Sequence, residues 1–122
     1  MRFDFELVGK IGSMALIRRE DSDIDYNIFA RLGRELRPGM IWVSSGAVEI
    51  GRLDYLRRQG RELLGDPEEV KADYAAQGQA ILMQEYRRCI RQARYKAAVP
   101  LTSGIKIVSW LPPNHRCQSR ML

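Results

Sequence analysis

Pro38-Gly39-Met40-Ile41-Trp42-Val43-Ser44-Ser45-Gly46-Ala47 decides how this chain is read. Pro38-Gly39 stops whatever precedes it. Residues 40–43 form an uninterrupted apolar run, as in a parallel strand covered on both faces, and the small residues after it make a turn. Upstream, Ile24, Ile28, Leu32 and Leu36 recur every four residues with Phe29 beside them, which predicts a helix ending at Pro38-Gly39. Ser22 followed three residues later by Asp25 has the form of a capping box with Asp in place of Glu, and places the start of that helix there. Further back, Phe3, Phe5 and Leu7 alternate with Asp4 and Glu6, the period of a strand over residues 3–8. That strand leaves into Gly9-Lys10-Ile11-Gly12-Ser13, followed by apolar residues 14–17 and a polar connection over 18–23. Strand, helix, strand is a βαβ unit, so the fold class is α/β with a mainly parallel sheet.

Downstream of the turn, Val48, Leu53 and Leu56, with Ile50 as an optional member, line one side of a helix, while Arg52, Arg57, Arg58 and Arg61 face solvent. It fades at Gly60 or Gly65. Asp66-Pro67-Glu68-Glu69 opens another helix, with proline suited to the first position and acids to the positive end of the dipole. Its inner line is Val70, Tyr74, Gly78, Leu82 and Tyr86. Beyond Arg88 the pattern weakens. Residues 105–110 have the make-up of a strand, and Leu111-Pro112-Pro113-Asn114 with the polar residues after it read as an exposed terminus.

At 122 residues and 45% apolar content the chain fits one soluble domain. No apolar run approaches the roughly eighteen residues that span a bilayer, and acids occupy the start where a signal peptide has an apolar segment. The expectation is a cytoplasmic protein with no membrane partner. Cys89 and Cys117 are too far apart for a CxxC site and His115 is the only imidazole, so no metal site is expected and the thiols are read as reduced. The net charge of +5 is unevenly placed. Residues 1–88 hold 14 basic residues and all 15 acids, whereas residues 89–122 hold six basic residues and no acid. Acids balance the arginines through residue 88, so nucleic acid is not an expected partner. The composition divides the chain into residues 1–88 and a divergent basic tail, residues 89–122.

Ligands of open parallel sheets sit beyond the carboxyl ends of the strands. In Gly9-Lys10-Ile11-Gly12-Ser13 the glycines let backbone N–H groups approach phosphate oxygens, and Lys10 neutralises charge that builds up in phosphoryl transfer. In Ser44-Ser45-Gly46-Ala47 a helix begins on small residues, so its open N–H groups and dipole face an anion. Two anion cradles, one with a lysine, point to two negatively charged reactants brought together. Plainer readings exist for each: Lys10 as a solvated residue after a strand, Ser44 and Ser45 as helix caps, Asp73 and Gln77 as polar positions at a helix interface.

Three blocks carry a resemblance: Lys10-Ile11-Gly12-Ser13; Val43-Ser44-Ser45-Gly46-Ala47-Val48 with Gly51-Arg52; and Lys71-Ala72-Asp73-Tyr74-Ala75-Ala76-Gln77-Gly78-Gln79 with Leu82-Met83 and Tyr86. In this order, over about 80 residues, they resemble the opening of the amino-acid kinase family in its glutamate 5-kinase branch, and the resemblance stops near Arg88. It implies a three-layer αβα sandwich, here truncated, on which ATP with Mg2+ phosphorylates the side-chain carboxylate of glutamate, the first step of proline synthesis. Carried over residue by residue, it makes Lys10 the catalytic contact to the transferring phosphate, Gly12 and Ser13 the rest of the phosphate loop, and Ser45, Gly46 and Ala47 the receiver of a small amino-acid substrate. The chain departs from the pattern at Gly9, where the family has an apolar residue, at Met14, and at Glu49-Ile50. Those departures leave the acceptor open among glutamate, acetylglutamate, aspartate, carbamate and uridylate. The family's later substrate contacts, second lysine and adenine-binding half have no counterpart here. A truncated sheet leaves an edge to cover, and a homo-oligomer is one way to do so. Two origins stay open for residues 89–122: a shifted reading frame, or a genuine short protein whose function is binding and not catalysis.

Overall fold

The computed structural model describes residues 7–37, 39–96, 106–109 and 118–121. Phe3 and Phe5 of the first predicted strand, and the Leu111-Pro112-Pro113-Asn114 stretch, lie outside the described residues. The elements are β1 (Leu7–Ile11), a 3-10 turn (Ser13–Leu16), β2 (Ile17–Arg18), β3 (Asp23–Ile24), α1 (Tyr26–Glu35), β4 (Met40–Ser44), α2 (Ala47–Gln59), α3 (Pro67–Lys96), β5 (Lys106–Ser109) and β6 (Gln118–Met121). The main sheet has the order β1-β4-β5-β6. Its first three strands are parallel, and β6 runs antiparallel to β5. Over the described residues the chain is therefore mixed α/β, with three parallel strands in its main sheet and three α-helices. A strand is present at residues 106–109 as the sequence implied; the polar end is not simply an exposed terminus, because residues 118–121 pair with β5.

Several local forecasts needed adjustment. The first strand extends to Ile11, so Lys10 lies within it and the turn starts only at Gly12. Helix α1 is capped by Asp25, whose side chain accepts from the N–H groups of Asn27 and Ile28, and not by Ser22. Ser22 instead takes a positive φ of 50° in the short β2–β3 hairpin. Helix α2 ends at Gly60, which adopts the left-handed conformation and donates its N–H to Leu56 O. Its most buried line is Ala47, Ile50 and Gly51, with Val48 packed beside it. Helix α3 crosses position 88 without interruption and runs to Lys96, with Cys89 and Ile90 buried in the same core as Leu82 and Tyr86.

All three helices lie on one face of the sheet. Positions 40, 42 and 44 of β4 face them: Met40 and Trp42 pack on the core, and Ser44 bonds Tyr86 of α3. The alternation of a strand sends Ile41 and Val43, and with them Val8, Lys10 and Val108, to the opposite face. Topology explains the one-sidedness. The strand order steps the same way from β1 to β4 and from β4 to β5, so two right-handed crossovers put their helices on the same side. The second helical layer of a three-layer sandwich is not among the described residues.

The core joins Phe29 and Leu32 of α1, with Leu36 at its C-cap, to Leu82, Met83 and Tyr86 of α3 and Ile107 of β5, with the Phe29 and Tyr86 rings edge to face at 5.0 Å. Gly9 is explained by its neighbour on β4. The Trp42 ring covers it, and a Cβ at position 9 would lie 2.3 Å from Trp42 Cζ3. The missing side chain at 9 and the large one at 42 are one packing solution, which accounts for the departure at Gly9 without reference to a ligand.

Candidate functional site

The turn after β4 is built from behind. Gly51 of α2 and Gly78 of α3 face each other so closely that a Cβ at 51 would sit 1.9 Å from Tyr74 O and one at 78 would sit 1.7 Å from Ala47 O. Two helix backbones thus touch at the start of α2, and only glycine permits it. This contact fixes where Ala47 lies. The N-cap of α2 is Gly46 at φ 115°, a left-handed conformation that an L side chain rarely takes, and no side chain caps the helix. Ser44 and Ser45 are not caps. Ser44 is fully buried and donates its hydroxyl to the Ser45 carbonyl at 3.0 Å.

The consequence is a row of open donors. Ile50 N–H reaches Gly46 O at 2.9 Å as the first helical bond, while the backbone N–H groups of Gly46, Ala47, Val48 and Glu49 have no hydrogen-bond partner among the described residues. Glu49 occupies the third helical position, from which a glutamate ordinarily reaches back to the cap N–H. Here its Oε1 accepts from Arg52 at 3.0 Å, and Arg52 also bonds Glu62. The shared arginine draws the Glu49 carboxylate off the donors. A cavity of about 290 Å³ lies against this terminus, lined by Ser13, Ser45, Gly46, Ala47, Val48, Glu49 and Lys71. Open N–H groups, the positive end of a 13-residue helix and one exposed ammonium make it suited to a small anion.

Of the six residues singled out in sequence, Ser13, Ser45, Gly46 and Ala47 come together in this cavity, whereas Lys10 and Gly12 do not line it. Lys10 is exposed on the sheet face away from the helices. Gly12 has ordinary extended dihedrals (φ −82°, ψ 158°) and open space around it, so its backbone does not require glycine. Lys71 and Glu49 are cavity residues that sequence reasoning quoted but did not assign. The signal for Lys71 was present: it precedes Gly78 by seven residues, two helical turns, and so shares the face that meets the start of α2.

No family model, no curated protein and no solved structure matches the chain.

Two further polar features bear on the site. Trp42 Nε1 donates to the Tyr86 hydroxyl at 3.0 Å and that hydroxyl donates to Ser44 Oγ at 2.9 Å. Burial pushes the Tyr86 phenol above its ordinary pKa, partly offset by these two bonds, so it stays neutral. Gln79, 4% exposed, has no partner for either amide atom among the described residues and does not line the cavity. Among the described residues no group of three or more His, Cys, Asp or Glu is placed to hold a metal ion, and no helix is long and apolar enough to cross a membrane.

Proposed function

We propose that this chain is the substrate-side part of an amino-acid kinase-type phosphotransferase and that its cavity receives the carboxylate of a small amino acid. The observation that carries the reading is the convergence of Ser13, Ser45, Gly46 and Ala47 on one cavity at an uncapped helix start. All three blocks of resemblance contribute to it: Ser13 from the first, Ser45 to Val48 from the second and Lys71 from the third. In this reading the acceptor carboxylate lies on the open N–H groups of α2 with Lys71 beside it, and attacks the γ-phosphate in line. Lys10, Gly12 and Ser13 form the phosphate side. ATP with magnesium would supply the phosphoryl group, the magnesium held largely by phosphate oxygens. The open sheet face of Val8, Ile41 and Val43 is, on this proposal, where a three-layer sandwich of this kind carries its second helical layer. Glutamate is the proposed acceptor, as in glutamyl 5-phosphate formation on the way to proline.

One observation favours a second reading. Lys10 and Gly12 stand apart from the cavity, so anion binding needs neither of them, and a non-catalytic anion-binding or protein-interaction module uses the same four residues. An ATP-dependent hydroxamate assay on purified protein with glutamate, aspartate and acetylglutamate separates the two, because hydroxylamine traps an acyl phosphate. Signal with one acceptor establishes transfer. Binding of glutamate or phosphate by calorimetry without hydroxamate establishes the module, and absence of both sinks the cavity assignment.

A further inference from the structure

Gln79 is buried on α3 between Ala75 and Met83, both of them core residues. Its Nε2 and Oε1 are closed off from solvent, and among the described residues neither makes a hydrogen bond. Ser44, the other buried polar side chain, is bonded to Tyr86 and to the Ser45 carbonyl. An unpaired donor and an unpaired acceptor in apolar surroundings cost stability that a leucine or methionine at the same position does not. A native fold keeps such a group where something other than packing requires it.

Its place in the fold supplies a reason. Helix α3 runs back along β4: Tyr86 lies beside Trp42 and Ser44, and Gly78 lies beside Ala47, past the end of the strand. Gln79 shares the face of Tyr86 but stands two helical turns, about 10 Å, nearer the start of α3. That puts it beyond Ser44, the last residue of β4, at the carboxyl edge of the parallel strands where ligands of open sheets sit. It also adjoins the α2 cavity through the backbone. A Cβ on Gly78 would lie 1.7 Å from Ala47 O, Ala47 lines the cavity, and Gln79 Cα is a single peptide, about 3.8 Å, from Gly78 Cα. Rotation about its own side-chain bonds carries the amide between the core and that wall.

We propose that Gln79 is the specificity contact for the α-amino end of the substrate, its amide turning from the core to the ligand. This rests on the reading of the cavity as the site of a small amino acid. An amide presents a donor and an acceptor on one carbon, and an α-amino acid presents a carboxylate and an ammonium on one carbon, so Nε2 donates to the first while Oε1 accepts from the second. The N–H groups of α2 and Lys71 attract anions of any kind. Gln79 adds the preference for a free amino group, because a ligand without one leaves Oε1 unpaired, and a site built to bond a polar group discriminates strongly against an analogue that lacks it.

The test uses the full chain, wild type and Gln79→Met, with three probes in calorimetry: glutamate, glutarate, which has the same two carboxylates and no amino group, and inorganic phosphate. Wild type binds glutamate about tenfold more tightly than glutarate, whereas Gln79→Met binds the two alike and keeps its phosphate affinity within about twofold. Without ligand, Gln79→Met melts above wild type, because two unpaired polar atoms have left the core. In wild type the side-chain NH2 resonances of Gln79 shift on adding glutamate, and this carries the test if Gln79→Met does not fold. Equal affinity for glutamate and glutarate in wild type, a preference that survives in Gln79→Met, or unmoved Gln79 resonances overturns the role of Gln79, and phosphate binding then leaves the cavity reading standing. A lower melting temperature in Gln79→Met shows the amide already partnered in the core and overturns the role as well. If neither phosphate nor either dicarboxylate binds wild type, the cavity reading fails and takes this inference with it.

Discussion

The turn after β1 and the turn after β4 are close relatives in sequence, each a glycine beside a serine at the end of an apolar stretch, yet they fold differently. Gly12 is exposed and extended, and among the described residues no atom lies within 4 Å of where a Cβ would be. Gly46 is buried at φ 115°, and a Cβ there would lie 3.3 Å from Leu16 Cδ1. Behind Gly46 stand the Gly51–Gly78 helix contact and the buried chain from Trp42; nothing comparable backs Gly12 among the described residues. Glycine in a turn says where a backbone can come near a ligand. The packing behind it decides whether the donors are held in place for one.

The sharpest way to break this comparison is to separate the helices that hold the second turn. In Gly78→Ala the new methyl would sit 1.7 Å from Ala47 O, a backbone atom that can yield only if α2 moves as a body. The expected loss is about 3 kcal/mol by urea denaturation, together with loss of phosphate binding in whatever remains folded. Wild-type stability in Gly78→Ala would mean that α2 is not seated by α3.

A paired substitution tests the turns directly. Gly46→Ala forces an L side chain into the left-handed region and is expected to cost about 1–2 kcal/mol. Gly12→Ala meets neither strain nor neighbours and should stay within about 0.5 kcal/mol of wild type. Equal costs in the two thermal melts would erase the distinction between a held turn and an open one.

The strand at 40–43, the helix over Ile28 to Leu36 and the proline-started helix at 67 were legible because each rests on local periodicity or on a residue with one structural use. So was the place of Ser45, Gly46 and Ala47 at the cavity, since a helix that starts on Ser-Gly-Ala leaves donors open wherever it is placed. What was not legible depends on contacts across the fold. Gly9 read as a departure until the Trp42 ring was seen to cover it. A cap was one of two readings open for Ser44, because serine often is one, but strand alternation and Tyr86 turn it inward. The placement of Lys10 away from the cavity follows from β1 extending two residues beyond Gly9, to Ile11, a boundary that a mixed Gly-Lys-Ile-Gly stretch does not announce. The one-sidedness of the helices comes from strand order, which no local pattern encodes.

The smallest effect is confined to alkaline pH and reports on the support of the second turn alone. Burial raises the Tyr86 phenol above its ordinary value of 10.0, against the lowering effect of its bonds to Ser44 and Trp42. A folded-state pKa above the unfolded one means that the unfolded chain loses this proton first as pH rises. The stability it contributes is therefore fully present below pH 10 and is lost as pH climbs through the folded-state value. Cys89 is also raised by burial from 9.0 and Tyr26 from 10.0, so the whole protein loses stability over an overlapping range. The Tyr86 share is isolated by difference: urea midpoints of wild type and Tyr86→Phe, followed upward from pH 8, should run parallel to about pH 10 and converge above it. Curves that stay parallel throughout would show that Tyr86 ionises as readily folded as unfolded. The chain from Trp42 to Ser45 would then be open to water, and the turn after β4 would lose the dry support that distinguishes it from the turn after β1.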